Sequence, residues 1–332
     1  MEPITLAHGS GGKKMVTLIE DLFLKKFNNH NLPQGNDFTS FEVSQKKLAI
    51  STDSYVISPL IFPGGDIGSL AVHGTVNDVC MSGAKPLYLS ASFIIEEGLD
   101  LKILEKIVSS MAEASKKTGV PIITGDTKVV EKGKGDGLYI NTTGIGEIPS
   151  NLNITGSNAK PGDKIIINGS IGDHGMAILS FREGLNFETT LQSDSAPLNS
   201  LIALMCEFFP QINCLRDPTR GGLAACLNEL ASQSKVAIKI FEENIPIKTE
   251  VHSACELLGL DPLNVANEGK LVTICPPEIA DDLLKTMKSH PFGVNSQIIG
   301  EVLEGTDVFM ETSFGGQRKI SWPESEQLPR IC

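Results

Sequence analysis

No stretch of this 332-residue chain approaches the roughly 18 consecutive apolar residues of a membrane-spanning helix. Residues 1–12, MEPITLAHGSGG, lack the basic start and apolar block of a secretory signal. Positive charge is scarce: 28 lysines and arginines against 40 acidic residues leave a net charge of -12. Nucleic acid and an anionic membrane both call for a basic face, so neither is an expected partner. The seven cysteines (80, 206, 214, 226, 255, 275, 332) are odd in number and show neither CxxC pairs nor zinc-ligand spacing. The first six mostly lie in apolar segments such as ALMCEFF and LAACLNEL. They read as buried free thiols in a reducing cytoplasm. Two nucleotide signatures are missing as well, the GxxxxGK(S/T) loop and a GxGxxG between strand and helix. If the chain uses a nucleotide, it does so with another architecture.

What is present suffices for two ordinary globular domains: 41% apolar and 20% charged residues. KLAIST (47–52) is strand-like and ends near Asp53. Apolar spacing predicts helices over 67–82 and 100–117, the second closed by Gly119 and Pro121. VPIIT (120–124) and LYINTTGIGEI (138–148) read as strands. The polar, Gly- and Pro-bearing run 150–163 marks a boundary. Beyond it, strands at 164–169, 236–241, 271–275, 297–302 and 307–311 alternate with helices starting near 176, 198, 221 and 278. The irregular alternation predicts an α+β fold of two domains, 1–150 and 151–314. From Gly315 the chain turns polar, and 315–332 reads as a flexible tail ending on Cys332.

Several residues could carry chemistry. HGSGGKK (8–14) supplies small residues whose N–H groups can crowd a phosphate, followed by two cations. Asp53 and Asp126 stand where strands end, Asp78 lies in VNDV on a helix, and Asp217 lies in RDPTRGG before a helix. Each alone suits turn or cap chemistry. Four together with a phosphate loop suit magnesium, which takes carboxylates and completes its shell with substrate phosphate. Lys128 beside Asp126, and Glu268 in ANEGK, are acid–base candidates. Arg216 and Arg220 bracket Asp217 and could pair with it or hold phosphate.

In order along the chain, HGSGG, STDS, the ND of VNDVC, TGDTKVV, GIGEIP, GDHG, RDPTRGG, NEGK and the terminal PRIC resemble the HypE family of hydrogenase maturation proteins. That family lies in the superfamily of aminoimidazole ribonucleotide synthetase, selenophosphate synthetase and thiamine-phosphate kinase. The resemblance spans residues 4 to 332. It implies two α/β-type domains, with N-terminal sheets of two subunits pairing into a barrel in a homodimer. It implies ATP and Mg2+ near the domain junction. Gly11, Gly12, Lys13, Thr52, Asn77, Thr127, Arg216 and Arg220 then fall at nucleotide positions, and Asp53, Asp78, Asp126 and Asp217 at metal positions.

The implied activity concerns the terminal thiol. A carbamoyl group from the HypF carbamoyltransferase is loaded on Cys332, and the thiocarboxamide is dehydrated with ATP to a thiocyanate. Cyanide then passes through a HypC–HypD complex to the iron of a nickel–iron hydrogenase. Glu268 and Lys128 match the positions for proton transfer, in either order. The alternative within the superfamily is an ATP-dependent kinase or synthetase for a free small molecule, to which Cys332 is dispensable. A non-enzymatic reading makes the terminal thiol a docking tag.

Overall fold

Strict alternation of buried and half-buried positions runs the whole length of Leu138–Ile148, as expected of a strand with one face on a core. The computed structural model in which it is seen describes residues 12–18, 20, 39–43, 46–184, 191–323 and 328–332. A short helix, α1 (Lys13–Leu18), precedes the first sheet. That sheet is built from β1 (Thr39–Val43), β2 (Lys46–Tyr55), β5 (Lys85–Glu96), β6 (Ile122–Val130) and β7 (Leu138–Ile148). Its order is β1-β2-β7-β5-β6, antiparallel except for the parallel β5–β6 pair. A two-residue hairpin, β3 (Ile61–Phe62) and β4 (Gly65–Asp66), lies apart. The sheet keeps two edges, so the described residues of one chain form no closed barrel.

One face of this sheet carries α2 (Ile67–Cys80), backed by α3 (Leu101–Thr118). Asp66 caps α2 by accepting from the N–H groups of Gly68 and Ser69 at 2.8 and 3.0 Å. Nearly the whole circumference of α2 is buried, because sheet, α3 and a helix of the second domain all touch it. A side chain at Gly74 would meet the Tyr55 hydroxyl at 2.3 Å, so the helix can lie this close to β2 only with glycine there.

The second sheet comprises β8 (Lys164–Ile167), β9 (Cys214–Arg216), β10 (Ala237–Phe241), β11 (Val272–Cys275), β12 (Gln297–Leu303), β13 (Val308–Glu311) and β14 (Gln317–Lys319). Its order is β14-β13-β10-β12-β8-β11-β9. Around it lie α4 (Asp173–Arg182), α5 (Asn199–Leu204), α6 (Gly222–Ser234), α7 (Thr249–Leu258) and α8 (Pro277–Lys288). One apolar cluster joins residues of both sheets, from Ala49 to Ile331, and a second fills the far side of the larger sheet. The two halves therefore share a core.

Three readings of the sequence change here. Asp53 and Asp126 stand inside β2 and β6, not at strand ends, since pairing with β7 and β5 carries both strands several residues further. KPLYLSASFIIE, left without assignment above, is the long strand β5 next to β7. Residues after Gly315 add the edge strand β14, and Leu328–Cys332 are docked against the body of the chain. Cys206 is exposed, whereas Cys80, Cys214, Cys226, Cys255 and Cys275 are buried as expected. No helix among the described residues is long and apolar enough to cross a membrane.

Candidate active site

Three polar loops of the second domain meet one another, and the Glu268 carbonyl of one accepts from Asn77 Nδ2 of α2 at 3.5 Å. The loops are GSIGDHG (169–175), RDPTRGG (216–222) and ANEGK (266–270). The buried amide of Asn267 ties them together. Its Oδ1 accepts from Gly172 N–H at 2.7 Å, and its Nδ2 donates to the Pro218 carbonyl at 2.8 Å. Asp194 holds the Glu268 turn from the other side, accepting from the N–H groups of Glu268 and Gly269 at 3.1 and 3.3 Å. Lys270 Nζ donates to the same carboxylate at 2.6 Å, a pair about nine-tenths buried. A Cβ at Gly269 would lie 2.0 Å from the Asp194 carbonyl oxygen, so the backbones pack at glycine distance. Neither Asn267 nor Asp194 was singled out from sequence. Both lie in short aperiodic polar stretches, where nothing distinguishes a site anchor from a solvated loop.

The Glu268 side chain is only 4% exposed. Burial first, then the charges of Asp53, Asp217 and Asp194, raise its pKa well above the usual glutamate value, and Arg220 opposes them. Asp53 is likewise raised by burial, with Arg220 again opposing. The buried Tyr55 phenol is pushed up by burial and then by Asp53, Asp78 and Glu268. Asp78, in the last turn of α2, accepts from Ser51 Oγ at 2.7 Å. Asp53, Asp78, Asp217, Glu268 and the exposed Arg220 thus share one electrostatic neighbourhood at the domain junction. A buried carboxyl raised by neighbouring carboxylates, as Glu268 is, favours a cation close by. No three His, Cys, Asp or Glu side chains among the described residues form a ready cage for one. That pattern fits magnesium, which takes one or two carboxylates and fills its shell with phosphate oxygens and water.

Other expected residues lie elsewhere. Register places Asp126 in one row with Ser92, Asn141 and Ser54, while Asp53 shares the next row with Thr142, Ala91 and Gly125. Neighbouring rows point to opposite faces of a sheet. Asp126 and Lys128 therefore stand on the open face, paired at 2.9 Å and exposed, and Thr52 stands there too. Within one chain Lys128 does not meet Glu268, and Asp126 does not join the other aspartates. The Asp126 carboxyl is held below the usual aspartate value chiefly by its hydrogen bond from Lys128. Thr127 is exposed on the edge strand.

Arg216 is ion-paired with Glu229 of α6, within the second domain. Asn77 is 1% exposed, and its amide is spent on the joint between domains: Nδ2 donates to the Ala196 carbonyl at 3.0 Å, and Oδ1 accepts from Leu198 N–H at 2.7 Å. Gly12 is buried at the start of α1 and Lys13 is exposed. Gly11 lies outside the described residues.

The last residue is fastened by its backbone just past the end of β2. The Cys332 carbonyl accepts from Val56 N–H at 3.1 Å, just past Asp53 and Tyr55, and its side chain packs half-buried against the shared core. Leu328 and Ile331 are buried beside it.

Comparison with known proteins identifies both domains. The profile "AIR synthase related protein, N-terminal domain" matches residues 35–148, and "AIR synthase related protein, C-terminal domain" matches 160–312. Carbamoyl dehydratase HypE of Azotobacter vinelandii is 56% identical, over 99% of this chain and 97% of its own. A HypE in a solved HypE–HypF complex superposes with a TM-score of 0.89 at 50% identity, over 92% and 99% of the two chains. A solved HypE bound to ATP gives 0.84 at 50% identity, over 99% and 100%. Fold, junction chemistry and likeness over nearly the full length agree: the chain belongs to the HypE family of carbamoyl dehydratases, among the AIR synthase related proteins.

Proposed function

We propose that this chain converts a carbamoyl group carried on Cys332 into a thiocyanate in an ATP-dependent dehydration, as a step in building the cyanide ligand of a nickel–iron hydrogenase. The observation that carries the reading is the backbone anchoring of Cys332 at Val56, just past the strand β2 whose Asp53 and Tyr55 belong to the same electrostatic neighbourhood as Glu268.

A thiolate is a good carbamoyl acceptor, and at a chain end it can visit a donor enzyme and its own active site in turn. The thiocarboxamide oxygen would leave as hydroxide, a very poor leaving group. ATP, when bound, supplies the phosphoryl group that lets it leave as phosphate instead. One or two of Asp53, Asp78 and Asp217 would hold magnesium against the phosphates, with phosphate oxygens and water filling its shell, and Arg220, whose charge acts on Asp53 and Glu268, would face the same phosphates. Glu268 is the base for the nitrogen protons, taken one at a time, the first passing on to water before the second is accepted. Its carboxyl holds a proton more tightly than a solvated glutamate, so once ionised it is the stronger base.

HypF is the expected carbamoyl donor, and a HypC–HypD complex the expected recipient. A second copy is the expected partner on the open face of the first sheet, where Tyr88 and Ile94 are 48% and 46% exposed. Asp126 and Lys128 enter the chemistry only through such an assembly.

Intact mass tests the reading. After incubation with HypF, carbamoyl phosphate and ATP, a gain of about 43 Da on Cys332 should fall by about 18 Da as ATP is consumed. A mass that never changes in the presence of active HypF contradicts it. A kinase of a free small molecule would instead keep its turnover when Cys332 is deleted.

A further inference from the structure

We propose that Arg182 and His174 are positioning residues for this reaction. Together they form a seat that grips the backbone of the last residues and fixes where the Cys332 sulfur stands. The inference rests on the dehydratase reading for its purpose, but the seat itself can be tested without catalysis.

Every backbone carbonyl from Pro329 to Cys332 has a donor. Arg182 Nη1 donates to Pro329 at 2.7 Å and Nη2 to Arg330 at 2.7 Å. His174 Nε2 donates to Ile331 at 2.6 Å, and Val56 N–H donates to Cys332 at 3.1 Å. The same guanidinium also donates to the Ser58 carbonyl, from Nε at 3.0 Å and Nη2 at 2.6 Å. Arg182 thus clamps the tail to the segment that leaves β2. Only a planar, forked donor set can reach three carbonyls at once.

His174 is fully buried. With Nε2–H committed to Ile331, Nδ1 is left to accept from Ser193 Oγ at 2.7 Å. Ser193 Oγ also accepts from Ser195 N–H at 3.0 Å, and its own hydrogen is available for Nδ1. Burial lowers the pKa of His174, consistent with the neutral form this pattern requires. The residue after Ser193 is Asp194, which holds the Glu268 turn. One short loop therefore touches both the seat of the thiol and the base.

The contacts are to backbone, so the seat reads shape and direction more than side-chain identity. Two apolar anchors, Leu328 and Ile331, complete it. Arg330 adds a bond from Nε to the Val56 carbonyl at 3.0 Å and an ion pair with Asp136.

The test compares the full-length protein with Arg182→Lys, His174→Gln and Arg330→Ala. Cys332 alkylation by iodoacetamide is followed by mass spectrometry, with the exposed Cys206 as internal reference. A lysine keeps the charge and loses the fork. Arg182→Lys should raise the alkylation rate of Cys332 relative to Cys206 about tenfold, from loss of charged hydrogen bonds. On carbamoylated protein it should slow single-turnover dehydration by a similar factor, leave the KM for ATP within about twofold, and leave carbamoyl loading intact. His174→Gln retains a donor for Ile331 and should fall between Arg182→Lys and the parent.

Arg330→Ala removes only tail contacts, cannot unfold α4, and should raise alkylation about threefold. It decides the matter if Arg182→Lys fails to fold. Relative alkylation within about twofold of the parent in Arg182→Lys, or in Arg330→Ala where Arg182→Lys does not fold, overturns the seat. A parent protein whose loaded Cys332 never dehydrates overturns the function instead, and the alkylation result still judges the seat.

Discussion

An anion at Glu268 carries an electrostatic cost, since it is buried among three further carboxylates. Its folded pKa lies above the unfolded one, so the folded protein loses stability as pH rises from about 4.5 through the folded value. Glu268→Gln removes that loss. The variant should hold the carbamoyl form without dehydrating it, and in urea unfolding should gain stability relative to the parent as pH is raised from 5 to 8. A glutamine variant that dehydrates normally would show that another group is the base.

Asp194 makes the opposite case, with a carboxylate held below its usual range chiefly by Lys270 against its own burial. Asp194→Asn leaves Lys270 as an uncompensated buried cation and should cost about 3 kcal/mol in urea unfolding. Lys270→Met in the same background should recover part of it. Glu268 was legible in the sequence because a polar ANEGK interrupts two apolar runs. Asp194, equally buried, was not, because QSDSAP looks like any surface turn until folding places it under residue 268.

At the level of elements, α2 shows how closely sequence and packing are coupled. Gly74→Ala places a methyl group against the Tyr55 hydroxyl and should cost about 2 kcal/mol by overpacking; Tyr55→Phe should restore part of that loss. A double-mutant cycle by urea unfolding measures the coupling. His73 on the same helix is buried next to Ser195, and burial followed by the Lys117 charge lowers its pKa from 6.5 to about 4. The unfolded chain therefore binds the extra proton first, and acidification from pH 6.5 to 4 removes on the order of 3 kcal/mol through this residue alone. His73→Gln should flatten the loss in that window.

Helices and short strands were legible because their periods are local. The long β5 was not: KPLYLSASFIIE mixes serine with aliphatic residues and contains a bulge near Pro86, so neither period is clean. The true reach of β2 and β6 was also hidden, since partner strands decide where a strand stops.

The whole molecule divides the expected site residues between two faces of one sheet. Their grouping depends on register, which sequence separations within single motifs do not reveal. GDTK suggested that Asp126 and Lys128 stand with the other acids. Alternation along β6 turns them to the opposite side. If a second copy covers that side, Ile94→Glu should shift sedimentation toward monomer and lower dehydration, while leaving the carboxylate cluster of each chain intact.

The shared core makes the two sheets one folding unit around a junction to which the terminal cysteine is already docked. The most direct measurement of that central claim uses 13C-labelled carbamoyl phosphate with HypF and follows the nitrile stretch by infrared spectroscopy. A labelled thiocyanate band should appear on the parent chain only after ATP is added, and never on Cys332→Ala. A band that forms on the alanine variant, or a carbamoylated parent that produces none with ATP present, would contradict the account.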